Sequence, residues 1–188
     1  MAESASQHDN SPLLPTIKLY VRYLRLERNL SPNTIEAYRN DLAHLEAFMM
    51  RNDLKLENVT LEQLHAFAAS LHEYGITPRS QARVLSGVRS FFRFLVLDGV
   101  VESDPTELLE WPSLPEHLPV VLTLEEIDRI EDSIDLSKAE GARNRAIIEV
   151  LFSCGLRVSE LVNMKLSDLY LEDRVLLVRG KGNKERLV

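Results

Sequence analysis

Residues 154–188, CGLRVSELVNMKLSDLYLEDRVLLVRGKGNKERLV, switch from a helical to an extended pattern within one short stretch. The run GLRVSEL is typical of a helix that begins beside Arg157, whereas DRVLLV and KERLV are typical of strands on either side of the glycine-rich turn RGKGN. Lys181 lies in that turn, between two glycines that supply positive φ. The stretch therefore predicts a helix followed by a β-hairpin, with Arg157 at the start of the helix and Lys181 in the turn of the hairpin.

Each of these two cations has an ordinary interpretation when it is considered alone. Arg157 could pair with Glu160 at a helix junction, and a lysine in a hairpin turn keeps the tip soluble. The turn is not a phosphate-binding P-loop, because it lacks the G-x-x-x-x-G-K-[ST] spacing and leads into a strand. The five histidines are scattered and no paired-cysteine spacing occurs, so we expect no metal site and no cofactor.

The overall composition limits the class of protein without deciding it. The chain of 188 residues has 22 basic and 29 acidic side chains, a net charge of −7, which argues against nucleic acid unless the charges are unevenly placed. No signal peptide or membrane span is predicted, and a single cysteine favours the reducing cytoplasm. That residue, Cys154, lies in an apolar helical run and is expected to be a small buried hydrophobe.

The rest of the chain predicts two domains joined by a linker. Residues 1–14 form a polar tail that is expected to be disordered. Four helices follow within residues 15–104, each with an apolar stripe, and several with a Ser or Thr cap. Four prolines in residues 105–121 cannot continue a helix, so this segment is predicted to be an interdomain linker. Residues 122–188 then form a second domain of helices and the β-hairpin.

The fourth of these helices carries a basic face. No acidic residue occurs between Pro78 and Leu97. At 100° per residue, arginines and small residues fall on one side of the helix, and bulky apolar residues fall on the opposite side, which must face the core. The predicted basic face consists of Arg79, Ala82, Arg83, Ser86, Arg89, Ser90 and Arg93. Arginine and serine donate to phosphate oxygens and a helix fits the major groove, so this face is a candidate for DNA contact; the alternative is a solvated arginine face.

The start of the second helix is a weaker candidate for the same kind of contact. Asn33, Thr34 and Arg39 surround this helix N-terminus, which follows the predicted cap Ser31. The alternative for Asn33 and Thr34 is that they serve only to cap the helix.

The ordered set of motifs resembles a known family. The segment ARNRAIIEVLFSCGLRVSELVNMKLSDLYLEDRVLLVRGKGNKERLV closely resembles the start of the catalytic domain of the tyrosine recombinases, the Xer-type enzymes in particular. Upstream, LSPNTIEAYRNDLAHLEAFM and ITPRSQARVLSGVRSFFRFLVLDG resemble that family's N-terminal DNA-binding domain. The resemblance implies a mainly α fold: a four-helix, SAM-like core-binding domain, then the start of an α+β catalytic domain with a small antiparallel β-sheet.

The resemblance also implies a chemistry. In this family a tyrosine attacks a DNA phosphodiester and forms a 3′-phosphotyrosyl link, without metal or nucleotide. Arg157 matches the first catalytic arginine, whose charged fork suits non-bridging phosphate oxygens, and Lys181 matches the hairpin lysine that acts as general acid. Glu160 is expected to orient its neighbours. Lys184 and Arg186 either contact backbone phosphates or only solvate the strand.

The sequence departs from the family pattern in one respect. The later His-x-x-Arg motif, a further His or Trp, and the nucleophile are not matched, and all five tyrosines precede Lys181. We therefore expect a C-terminally truncated fragment that binds DNA but does not cut it.

The resemblance implies duplex DNA at a specific recombination site as the partner, with four protomers, identical or of two kinds, acting on two duplexes. Chromosome dimer resolution is the expected role, and integration or excision of a mobile element is the close alternative. Two further hypotheses are a non-catalytic DNA-binding regulator derived from a recombinase, and a helical protein-interaction domain whose arginine stripe meets an acidic partner.

Overall fold

The computed structural model describes residues 13–114, 119–180, 182 and 184–188. These residues are mainly helical with one small antiparallel sheet, which confirms the predicted fold class. The chain divides into two compact units, with the boundary between residues 116 and 117. Within the described ranges, no helix is both long enough and apolar enough to cross a membrane.

Four helices make up the first unit, as the periodicity predicted. They are α1 (Leu14–Leu26), α2 (Pro32–Arg51), α3 (Leu61–Glu73) and α4 (Pro78–Leu97), with a short 3₁₀ turn at Leu56–Asn58. The side chains of Ser31, Thr60 and Thr77 accept a backbone N–H at the starts of α2, α3 and α4, which satisfies donors that have no partner within the helix. Leu13 is buried and Leu14 already belongs to α1, so the last two residues of the segment predicted as a tail are structured. The rest of that segment, residues 1–12, lies outside the described residues.

The apolar face of α4 forms the centre of the first unit. The prediction that Val84, Val88, Phe91, Phe92 and Leu95 face the core is confirmed, since all five are buried. The rings of Phe91 and Tyr20 on α1 meet edge to face, with centroids 5.2 Å apart. Gly87 brings α2 unusually close to α4, because a Cβ at this position would lie 2.7 Å from the Cβ of Asp41. The core thus fixes which side chains of α2 and α4 share a surface.

Short helices and a sheet make up the second unit. They are α5 (Leu124–Asp132), α6 (Gly141–Cys154), α7 (Val158–Val162), β1 (Leu169–Tyr170), β2 (Val175–Arg179) and β3 (Glu185–Leu187). The strands form an antiparallel sheet in the order β1-β2-β3, and Val178 on β2 lies opposite Arg186 on β3. Cys154 is partly buried, which is less than expected for a small buried hydrophobe.

Candidate nucleic-acid interface

A groove in the first unit unites the two surfaces that the sequence analysis treated separately. It has a volume of about 430 Å³ and lies between the start of α2 and the middle of α4. Its lining residues are Asn33, Thr34, Ala37, Tyr38, Asp41, Arg83, Ser86 and Gly87. Hydrogen-bond donors from both helices therefore point into one concave surface.

The polar side chains at the start of α2 have two roles: some cap the helix and others are exposed. The Thr34 hydroxyl lies 2.8 Å from the hydroxyl of the cap residue Ser31, so Thr34 is part of the cap. Asn33 is exposed at the groove. Arg39 does not line the groove; it forms an exposed pair with Glu36 at 3.7 Å, which is a weak interaction.

Arg83 is held in the groove by a carboxylate that the sequence analysis missed. Its Nη2 donates to Oδ2 of Asp41 on α2 over 3.1 Å. Asp41 is buried, and this burial raises the pKa of its carboxyl, while Arg83 partly offsets the effect. The α4 sequence is free of acidic residues, but α2 supplies one at the point of closest packing. The signal in the sequence was Gly87, a glycine in the middle of a helix, which marks a close approach of another element.

Arg89 turns away from the groove and toward the segment that follows α4. Its Nη2 donates to the carbonyl oxygens of Thr106 and Leu109, at 3.0 and 2.9 Å. Its guanidinium also stacks on the ring of Trp111, 4.5 Å from the ring centroid. The Nε atom is buried and has no hydrogen-bond partner among the described residues.

The other predicted members of the basic face differ in how far they are engaged. The Ser90 hydroxyl accepts from the hydroxyl of Tyr20 over 2.8 Å, and burial raises the pKa of that tyrosine. Arg93 lies 4.0 Å from Asp104 and its side chain is mostly exposed. Arg79 is exposed and makes no hydrogen bond or ion pair with any described residue. The cations left for an outside partner are therefore Arg79, Arg93 and part of Arg83.

A second concavity of about 260 Å³ adjoins this face and adds residues that the periodicity did not indicate. Tyr23 and Arg28, from α1 and the turn after it, line it together with Ser86, Arg89 and Arg93 of α4. A hydrogen bond from Arg28 to Tyr23 raises the pKa of that arginine. Arg28 therefore extends the cationic surface beyond α4.

The second unit is organised around one buried carboxylate, that of Glu160 on α7. It accepts hydrogen bonds from the backbone N–H and Nη1 of Arg157, at 2.9 and 2.8 Å. It also accepts from both Nη atoms of Arg186 on β3, at 2.9 and 2.8 Å. These bonds, from Arg186 first and then from the Arg157 backbone, hold the pKa of Glu160 well below its usual range. Arg186 is thus an ion-pair partner of Glu160 within the unit, and its side chain is still 38% exposed, so a contact with backbone phosphate stays a prediction.

Arg157 itself remains mostly available. Its side chain is 72% exposed, and within the described part of the chain it has no partner other than Glu160. Because Nη1 is held and the rest of the guanidinium faces solvent, the side chain has a defined direction and free donors.

A second buried carboxylate supports the same hairpin. Asp168 accepts from Nη1 of Arg179 over 2.6 Å and from the backbone N–H of Lys165 over 3.0 Å, and both bonds lower its pKa. Arg179 also pairs with Glu185 at 2.9 Å. Charged bonds therefore fix both β2 and β3.

The turn of the hairpin is described only in part. The Gly180 N–H donates to the Lys184 carbonyl over 2.8 Å, and a Cβ on Gly180 would lie 3.1 Å from Oε1 of Glu160. Lys184 is exposed, and Lys181 lies outside the described residues. Among the residues that are described, no group of three His, Cys, Asp or Glu side chains could hold a metal ion.

Comparison with known families gives two matches in order along the chain. Residues 17–99 match the phage integrase N-terminal SAM-like domain, and residues 120–188 match the phage integrase family. The predicted SAM-like helical domain is thereby confirmed.

Curated relatives match over nearly the whole chain. The tyrosine recombinase XerD of Proteus mirabilis is 40% identical over 183 residues, which are 97% of this chain and 58% of the relative. The tyrosine recombinase XerC of Oceanobacillus iheyensis is 39% identical over 173 residues, 92% of this chain and 57% of the relative. The chain thus spans less than two thirds of the length of these relatives.

Solved structures share the fold. A λ integrase tetramer bound to a Holliday junction aligns with a TM-score of 0.73 at 21% identity, over 94% of this chain and 50% of that one. The XerH site-specific recombinase bound to its difH substrate aligns with a TM-score of 0.65 at 24% identity, over 92% of this chain and 51% of that one.

Proposed function

Because this chain belongs to the phage integrase family of tyrosine recombinases, we propose that it acts in site-specific DNA recombination. The observation that carries the proposal is the order of the matches: the first unit matches the SAM-like domain and the second matches the catalytic family. The exposed guanidinium of Arg157, fixed at one end by Glu160, supports the same assignment.

The first unit would bind duplex DNA through the α2–α4 groove and the basic face of α4. Arg79, Arg83 and Arg93 would neutralise phosphates, and Asn33, Ser86 and Ser90 would donate hydrogen bonds, with Thr34 and Arg39 at the edge. The net charge of −7 does not prevent this, because the acidic residues lie outside α4. The contact is therefore local, and it should depend steeply on salt.

The second unit would bind the phosphodiester that reacts. Arg157 would donate to non-bridging oxygens, where charge accumulates in the transition state. Lys181 would protonate the leaving 5′-oxygen as general acid, and Lys184 on the same hairpin would contact a neighbouring phosphate. Glu160 would hold Arg157 in its productive direction, and Arg186 would keep Glu160 ionised.

Binding can be tested with matched double variants of the whole chain. Arg79→Gln with Arg83→Gln removes two charges from the proposed surface, and Arg22→Gln with Arg25→Gln removes two exposed charges from α1. We expect the first pair to weaken binding to a 30-base-pair duplex by about tenfold or more and to reduce the salt slope by about two, since each phosphate contact contributes about one. The second pair should have little effect. A chain that does not retain duplex DNA at 50 mM salt would refute the proposal.

Residues 1–188 alone would bind without cutting, because none of the five tyrosines matches the family's nucleophile position. A nicked substrate that traps the phosphotyrosyl intermediate tests this, with covalent complexes resolved on a denaturing gel. We expect none. A covalent complex that maps to Tyr170, which is exposed on β1, would overturn this part of the proposal.

We further infer a role in chromosome dimer resolution, in the cytoplasm, with protomers of one or two kinds assembling on DNA. The similarity to both XerD and XerC supports this role over a mobile-element function. The second candidate is a DNA-binding regulator, which would use the α2–α4 groove without cleaving DNA. Adding this chain to a recombination assay with an active Xer pair separates the two, because a regulator would change the yield of recombined DNA at saturating enzyme.

A further inference from the structure

The segment after α4 is bound to that helix by a group of contacts that centres on Arg89. We propose that Arg89 is a positioning residue: it clamps residues 104–111 to α4 and so fixes the point at which the interdomain linker leaves the first unit. Helical periodicity predicts that Arg89 lies on the DNA-binding face, and the prolines predict that the linker begins at residue 105. The clamp lies within the first unit, and its role in recombination rests on the proposed function.

The geometry of the guanidinium favours a clamp over a phosphate ligand. Arginine binds phosphate best through two parallel N–H donors on one edge of its fork. In Arg89, Nη2 already donates to two carbonyl oxygens, and Nε is buried without a described partner. The guanidinium has two edges that can donate in parallel, one formed by Nε and Nη2 and the other by Nη1 and Nη2. Both edges include Nη2, which is already occupied. A bidentate phosphate bond would therefore require the existing bonds to break.

Residues 104–109 form an ordered turn whose carbonyl oxygens can accept hydrogen bonds from Arg89. Asp104 Oδ1 accepts from the backbone N–H and the hydroxyl of Thr106, at 2.8 and 2.6 Å, which closes a tight turn. Thr106 is fully buried and Leu109 belongs to the apolar core of the first unit. The turn directs the carbonyl oxygens of Thr106 and Leu109 at the same Nη2 atom. Two carbonyls that meet one cation form a better-defined attachment than apolar packing alone.

Trp111 and Arg93 complete the clamp. The indole ring of Trp111 lies on the Arg89 guanidinium and is still 46% exposed, so it covers the cation on the solvent side. Arg93, one turn further along α4, lies 4.0 Å from Asp104. Because Arg93 also faces the proposed DNA surface, α4 carries both the DNA contacts and the anchor of the linker.

The clamp can be tested without DNA, because Trp111 is the only tryptophan. We compare the whole chain with Arg89→Met, Arg89→Lys and the control Arg79→Met, which removes an exposed arginine from the same helix. Both Arg89 variants should increase hydrogen exchange of the amides in residues 106–111 by about tenfold or more, and should shift Trp111 emission to longer wavelength. Arg79→Met should change neither. Unchanged exchange and emission in a folded Arg89→Met chain would overturn the clamp.

A second variant and a binding measurement keep the test decisive. Trp111→Leu removes the covering ring without altering α4, and should increase the hydrogen exchange of residues 106–111 by a smaller factor than the Arg89 variants do. If the Arg89 variants do not fold, an unchanged exchange rate in Trp111→Leu would refute the clamp. Binding to duplex DNA distinguishes the roles. A phosphate ligand at Arg89 would lose about one unit of salt slope in Arg89→Met with no change in exchange, and this result would refute the clamp. If the chain does not bind DNA, the exchange and emission results still decide.

Discussion

The two units are stabilised in different ways. Among the described residues, the first unit buries twenty apolar side chains in one cluster, whereas the second buries three, Ile127, Leu156 and Val178. The second unit buries the carboxylates of Glu131, Glu160 and Asp168, each bonded to at least one arginine, and the first unit also buries Asp41, which pairs with Arg83. Apolar burial is not directional, but an ion pair is directional and depends on pH. Among the described residues, apolar packing therefore dominates the first unit, whereas charged bonds have the larger share in the second.

The largest expected effect comes from removing the same side chain in the two units. Phe91→Ala in the first unit should lower the free energy of unfolding by about 3–5 kcal/mol, because it leaves a cavity beside Tyr20. Phe152→Ala in the second unit should cost about 1 kcal/mol or less, because Phe152 is 43% exposed. Urea denaturation followed by Trp111 fluorescence reports the first unit, and hydrogen exchange of the β2 and β3 amides reports the second. Equal losses in the two variants would contradict the contrast between the units.

Acid should affect the units in opposite directions. Hydrogen bonds from Arg186 and Arg179 hold the pKa values of Glu160 and Asp168 below their ordinary values of 4.5 and 3.8. Their ionised forms therefore stabilise the second unit at neutral pH, and this stabilisation is lost as the pH falls below about 4 toward the lowered pKa values. Burial raises the pKa of Asp41 in the first unit, so its contribution is present below its ordinary value of 3.8 and is lost as the pH rises through the raised pKa.

Hydrogen exchange, corrected for the intrinsic pH dependence, checks this prediction by peptide. The strands β2 and β3 should lose protection progressively as the pH falls below about 4, while α2 and α4 keep theirs. Glu160→Gln is the control: it should already exchange faster in the hairpin at pH 7 and should respond less to acid. Loss of protection in α2 at a higher pH than in β2 would contradict the predicted difference between the units.

The contrast also explains how far the sequence was informative. The core face of α4 follows from its own periodicity, since burial depends only on which side of the helix is apolar. Ion-pair partners depend on tertiary packing: Glu160 meets Arg186 from a strand 26 residues later. Helical periodicity grouped Arg89 with Arg79 because it predicts only the side of the helix on which a side chain begins. It does not predict that a long side chain reaches carbonyl oxygens 17 and 20 residues away in the sequence. The catalytic assignments of Arg157 and Lys181 came from family resemblance, and they stay predictions.

A matched pair of glycine substitutions tests packing at a finer level. Gly87→Ala would place a Cβ 2.7 Å from the Cβ of Asp41, so α2 and α4 must move apart. We expect a net loss of about 1–2 kcal/mol after the gain in helix propensity, which is about 1 kcal/mol, and weaker DNA binding because the groove changes shape. Gly180→Ala would meet Oε1 of Glu160 at 3.1 Å, a contact that requires a smaller displacement than the one at Gly87, and should cost less than about 1 kcal/mol. Thermal unfolding of both variants measures the difference. A larger loss for Gly180→Ala would show that the second unit is the more tightly packed.

The smallest effects should come from a pair of capping boxes that begin with threonine, one at the start of α3 and one at the start of α5. Thr60 and Gln63 close the start of α3, and Thr123 and Glu126 close the start of α5, with matching bonds between side chains and backbone N–H groups. Thr60→Ala and Thr123→Ala each remove one such bond and should cost about 1 kcal/mol. The two variants should differ in which part of the protein loses stability. Because Leu64 and Phe67 anchor α3 in the core, Thr60→Ala should lower the urea midpoint of the whole first unit. Only Ile127 and Glu131 of α5 are buried among the described residues, so Thr123→Ala should instead increase exchange at the first turn of α5 alone. If Thr123→Ala lowered the protection of every strand in the sheet, the second unit would be as cooperative as the first, and its ion pairs would be equivalent to an apolar core.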